Sequence, residues 1–181
     1  ALPADLARRI HDRCREAGVT PYLFFLAAFQ SAMHRWTGQP DVAVGSPVST
    51  RPGACNGVVG CFINTLVLRT SLDGAGTFRE LLERSRRTLT ESLQHPLVPF
   101  ERIVEEVKPE RVPGGHPLFQ AFFVYQSENL RGKAAGALDW CFEHVEHVDA
   151  KFDFTLAIDD RPDRLRGVIE FSTELYDEAT I

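Results

Sequence analysis

Nowhere in the 181 residues do about 18 apolar residues run together, the length a helix needs to cross a bilayer, so no membrane span is predicted. The opening ALPADLARRI lacks a basic stretch followed by an apolar one, so no secretory signal is predicted and a cytoplasmic location is expected. An excess of basic charge is missing too. The formal net charge is −5, which argues against a nucleic-acid partner, whose footprint would be a basic patch. Cysteine is scarce: Cys14, Cys55, Cys61 and Cys141 are irregularly spaced and form no CxxC pair. Reduced thiols are therefore expected rather than a disulfide framework or a zinc site. His144 and His147 lie three apart in WCFEHVEHV, which alternates like a strand, so their side chains would point to opposite faces and no metal site is predicted. No repeat and no low-complexity tract occurs.

Apolar residues make up 44% of the chain and include 13 Phe, enough for one domain or one large lobe with a real core. In PADLARRIHDRCREAG, the residues Leu6, Ala7, Ile10, Cys14 and Ala17 form one apolar stripe, and Gly18 ends the helix. Thr20 then caps a second helix with Pro21 in its first position; this one is apolar nearly all round and should be buried on several sides. DVAVGSPV reads as a short central strand, STRPGACNG as an exposed loop, and Phe62 to Leu72 as the next strand. A third helix starts at Thr77, with Glu80 at capping-box spacing and a stripe of Phe78, Leu81, Leu82, Ser85, Leu89 and Leu93. FERIVEEV gives a short fourth helix. Strands follow in LFQAFFVYQS, WCFEHVEHV, FDFTLAIDD and LRGVIEFSTEL, the last two joined by the turn DDRPDR. Asp177 is placed to cap a further helix. The fold class is α/β or α+β: a mixed β-sheet with helices packed on it.

Three stretches resemble the condensation domain of nonribosomal peptide synthetases. VGCFINTLVLR, residues 59 to 69, is similar to that family's Val/Ile-Gly-x-Phe-Val-Asn-Thr-Leu-x-x-Arg and contributes Gly60, Phe62, Asn64, Thr65 and Arg69. HPLVPFERIVEEV keeps His95, Pro99, Phe100 and Glu101 of His-Gln-Asp-x-Pro-Phe-Glu, with Pro96 and Leu97 in place of Gln and Asp. RVPGGHPLF keeps Arg111, Pro117 and Leu118 of Arg-Asp-x-Ser-Arg-Asn-Pro-Leu, and departs at Val112, Gly114 and Gly115. The resemblance covers essentially the whole chain. It implies residues 1–181 are the C-terminal lobe of a two-lobed fold like that of chloramphenicol acetyltransferase, cut at both ends. The family's catalytic His-His-x-x-x-Asp-Gly does not occur here, so no catalytic residue is expected in this chain.

The resemblance implies an amide-forming reaction between a donor thioester and an acceptor amine, each on a phosphopantetheine arm of a carrier protein. No cofactor is expected to bind the lobe directly. The implied partners are the N-terminal lobe, donor and acceptor carrier proteins, and an adjacent adenylation domain. One lobe would be one wall of a tunnel: apolar, with a few polar groups to hold an amide-rich arm. Asn64, an amide in an apolar run, is the first candidate for that wall. Thr65, Ser46 and Ser49 are further ones. The alternative for Asn64 is an internal hydrogen-bonding role. Arg51 reads as a loop anchor, His95 as a cap at a helix end, and Glu101 as a first-turn carboxylate favoured by the helix dipole. An epimerisation-domain lobe is an alternative enzyme, disfavoured by Cys61 and Asn64 where that relative has Trp and Thr. A non-catalytic docking module is the alternative of another class.

Overall fold

The computed structural model describes residues 1–110, 115–127, 149–161 and 164–181. Helices α1 (Ala4–Ala17), α2 (Pro21–Thr37), α3 (Phe78–Ser92) and α4 (Phe100–Val107) accompany strands β1 (Asp41–Ser49), β2 (Ile63–Ser71), β3 (Ala121–Gln126), β4 (Phe154–Arg161) and β5 (Arg164–Phe171). The strand expected over residues 140–148, with Cys141, His144 and His147, lies outside the described residues, as does Arg111.

Local signals set the helix ends. Gly18 and Gly38 take left-handed φ values of 62° and 70° and close α1 and α2. The Thr20 hydroxyl accepts from the Leu23 N–H, and Thr77 accepts from that of Glu80. The Glu80 carboxylate accepts from the N–H of Gly76, one residue beyond the Thr77 N–H that the usual capping box engages. The predicted stripe of α3 loses Leu93, which lies past the helix end and is exposed. Phe78 is half-exposed, edge-on to Phe24 at 5.4 Å.

The sheet runs in the order β2-β1-β3-β4-β5. β1 pairs antiparallel with β2 and parallel with β3, β3 pairs parallel with β4, and β4–β5 is an antiparallel hairpin. The expected mixed sheet is thus present. β3 begins later than its sequence suggests, because Leu118 has φ 69° and breaks the extended run. α1, α2 and α3 cover one face. That face carries Val42, Val44, Leu66, Leu68, Ala121, Phe123, Phe154, Ile158 and Leu165, packed against Leu23, Phe25, Leu26, Phe29, Leu81 and Leu82.

One polar network runs through this core. Fully buried Gln30 donates to the Leu68 carbonyl at 3.2 Å and to Thr70 Oγ1 at 3.1 Å, and accepts from Ser85 at 2.8 Å. At the far side Asp160 accepts from Tyr125 at 2.6 Å and pairs with His11 at 2.8 Å, joining α1 to β4.

Candidate functional site

Asn64 faces Val48 across the β1–β2 ladder and shares the side of β2 that carries Leu66, Leu68 and Thr70. Past the end of α3 the chain doubles back over this edge strand. There the Asn64 amide donates to the carbonyls of Pro96 at 2.9 Å and Val98 at 2.6 Å, while its Oδ1 accepts from the Phe100 N–H at 3.3 Å. Phe100 is the first residue of α4, and Pro99 before it supplies no side-chain cap. The first N–H groups of a helix have no partner within it. Asn64 therefore caps α4 from a distant strand. Both amide hydrogens and the carbonyl of this side chain are engaged by main chain, which is the internal role weighed against a tunnel wall.

Phe100 continues the connection. Its ring stacks on His116 at 5.3 Å and meets Phe119 at 5.6 Å. Phe119 contacts Phe122 at 5.9 Å, and Phe122 stacks on Phe152 at 4.2 Å. These rings occupy the sheet face opposite α1–α3, over Gly45. A Cβ on Gly45 would lie 2.3 Å from the Phe119 ring and 2.7 Å from Phe122, so only glycine leaves the rings room. The three motif-like stretches are thus one physical unit: β2 through Asn64, the 96–100 loop through Phe100, and His116 through its stacked ring.

Arg51 organises the neighbouring loop, as its anchor reading expects. Its guanidinium donates to the carbonyls of Cys55 at 2.9 Å, Val58 at 2.7 Å and Gly60 at 3.5 Å, and lies 4.1 Å over the Phe62 ring. Such a fork satisfies loop carbonyls and a ring face together. Gly57 turns the loop at φ 106°, and a Cβ on Gly60 would crowd Phe62 at 3.1 Å. Held in this way, Val59 is 100% exposed, Ile63 67% and, across the edge, Leu97 72%.

The remaining candidates separate. Thr65 stands opposite Pro47, on the other side of β2 from Asn64, and is half-buried; Ser49 is exposed at the end of β1. Ser46, offered for the wall, is fully buried among core residues, bonded to Tyr22 Oη at 2.8 Å and donating to the Phe123 carbonyl at 2.9 Å. Burial holds the Tyr22 phenol above its usual range, partly offset by the Ser46 bond. Arg69 forks onto Asp41 at 2.9 and 2.6 Å. His95 is exposed three residues past α3, and its main chain closes the turn, with N–H to Ser92 and carbonyl from Val98. Glu101 sits exposed in the first turn of α4. The Pro117 carbonyl accepts from His116 Nδ1 at 2.9 Å. Sequence reading missed Gly45 and Phe119; the Gly between Val44 and Ser46 inside a strand was the available signal.

A cavity of about 530 Å³, lined by Met33, Trp36, Asp41, Phe154 and Tyr176, opens at the other end of β1, and none of the expected site residues borders it. Among the described residues no group of three or more His, Cys, Asp and Glu gathers as for a metal ion.

The family model described as Condensation domain matches residues 1–181. The chain is 40% identical over 183 residues to a linear gramicidin synthase polypeptide of Brevibacillus parabrevis, covering 99% of this chain and 2% of that protein. The solved condensation domain from monacolin K polyketide synthase MokA aligns with TM-score 0.79 at 25% identity, over 97% of this chain and 41% of that one. A holo four-domain nonribosomal peptide synthetase bound to AMP and glycine shares the fold, with TM-score 0.88 at 20% identity over 99% of this chain and 15% of that one. The chain therefore spans a small part of the synthase and about two fifths of the solved condensation domain.

Proposed function

The chain belongs to the condensation-domain family, and from that premise we propose that it is the C-terminal lobe of a domain that joins a donor acyl or peptidyl thioester to an acceptor aminoacyl thioester. Both substrates arrive on phosphopantetheine arms of carrier proteins. The residues that act on the proton belong to the N-terminal lobe, and this lobe supplies one wall of the tunnel. In the parent chain it works beside that lobe, two carrier proteins and an adenylation domain, in the cytoplasm.

The observation that carries this reading is the match of the family model to the whole chain, joined to its coverage of only 41% of a solved condensation domain. The exposure of five large apolar residues, Val58, Val59, Ile63, Leu97 and Val98, near this end of the sheet supports it, as a face that a second lobe would cover. Thr65 and Ser49 are the wall residues we assign to the arm, through hydroxyls that both donate and accept. Holding two arms end to end makes the reaction effectively unimolecular, and the second lobe excludes the water that would hydrolyse the thioester.

The test mixes this chain with donor- and acceptor-loaded carrier proteins, beside the two-lobed parent. The parent forms the amide, and the chain alone gives no product above a protein-free control. Robust condensation by the chain alone would overturn the lobe assignment.

A further inference from the structure

Asn64 gives both of its donors and one acceptor bond to the 96–100 loop, at 2.9, 2.6 and 3.3 Å. An amide with both hydrogens donated to carbonyls has no donor left for an incoming pantetheine arm. Among the described residues neither the Pro96 nor the Val98 carbonyl accepts a backbone hydrogen bond, and Pro99 cannot cap α4. What Asn64 fixes is the start of α4 and with it the Phe100 ring, which leans on His116 and Phe119. Phe119 in turn presses on β1 at Gly45, one residue from the buried Ser46.

We infer that Asn64 is a positioning residue. It serves amide formation by setting the 96–100 loop and the Phe100–His116–Phe119 cluster, without touching the substrate. This rests on the reading of the chain as one wall of a condensation domain. A wall whose rings are displaced misaligns the two arms, and a displacement of about 1 Å costs up to 100-fold in rate.

The experiment uses the two-lobed parent with carrier-loaded substrates under single turnover. Asn64→Ala and Phe100→Leu each lower the rate constant by about 10-fold or more per folded molecule. Because they share one route, the double variant is no slower than the worse single variant, within about 2-fold. The loss in Asn64→Ala is the same when the donor thioester sits on a short alkyl thiol lacking the amides of the arm. A loss that vanishes with the short thiol, or a double variant whose losses multiply, would overturn the inference and make Asn64 an arm contact. If Asn64→Ala does not fold, Asn64→Ser keeps one small group that can donate and accept, and the same pattern is expected. A wild-type parent that forms no amide refutes the functional reading instead. In that case hydrogen exchange on the present chain decides: the Phe100 N–H exchanges at least about 10-fold faster in Asn64→Ala while the β1–β2 ladder is unchanged. Equal Phe100 exchange would refute the role.

Discussion

Replacing Gly45 by alanine inserts a single methyl group where the structure has no space for it. The new Cβ would sit 2.3 Å from Cε2 and Cζ of Phe119 and 2.7 Å from Cδ2 of Phe122. Ordinary contact begins near 3.4 Å, so the Phe119 ring must withdraw by about 1 Å. It cannot do so freely. Phe119 is 1% exposed, and rings of His116, Phe100 and Phe152 stand at 4.3, 5.6 and 5.6 Å. The backbone at Gly45 is held from both sides, by Val67 of β2 and Phe122 of β3. Overpacking of a filled site costs about 1–3 kcal/mol, and the absence of an escape route places Gly45→Ala at the upper end, about 3 kcal/mol. For a chain of this size that lowers Tm by about 6–12 °C. Urea unfolding should show a lower midpoint at unchanged slope. Gly167→Ala is the control, because its Cβ would meet Ile158 Cδ1 at an ordinary 3.6 Å. There the stability should change by less than about 1 kcal/mol, with a gain in strand propensity working in its favour. Equal effects at the two glycines, or a Gly45→Ala loss below about 0.5 kcal/mol, would refute the close-approach argument.

Gln30→Leu should destabilise by about 2–3 kcal/mol, since the Ser85 hydroxyl loses its buried acceptor and Thr70 a donor; Ser85→Ala in the same background should recover part of that loss in urea unfolding. Burial, then the Asp160 hydrogen bond and charge, hold the Tyr125 phenol far above its usual range. The folded state therefore keeps a proton that the unfolded chain releases near pH 10, so this stabilisation is complete below about pH 10 and falls as pH rises further. Alkaline unfolding followed by absorbance should be steeper in wild type than in Tyr125→Phe. Among the described cysteines, exposed Cys61 should react first with a thiol reagent, and buried Cys14 only on unfolding, because burial and the nearby Asp160 charge raise its thiol pKa. A Cys14 that reacts as fast as Cys61 in the native protein would contradict the packing of α1.

Helices α1 to α3 and most of their ends were legible in the sequence by itself because their causes lie within one turn of the chain. Thr20 with Pro21, Thr77 with Glu80, and Gly18 and Gly38 each satisfy or release groups three or four residues away. β1 and β2 likewise read as strands, from DVAVGSPV and from the apolar run of Phe62 to Leu72. Tertiary structure alone decided what Asn64 bonds to, since its partners stand 32 to 36 residues further along and meet it only after α3 has packed and the chain has turned back. It also decided that Ser46 is core: a serine beside a glycine reads as a polar strand end until β3 and Tyr22 close over it. Gly45 looked like any strand glycine until Phe119, 74 positions away, was laid across it. Propensity and capping are set by near neighbours, whereas the use of a polar or absent side chain is set by whatever the fold brings against it.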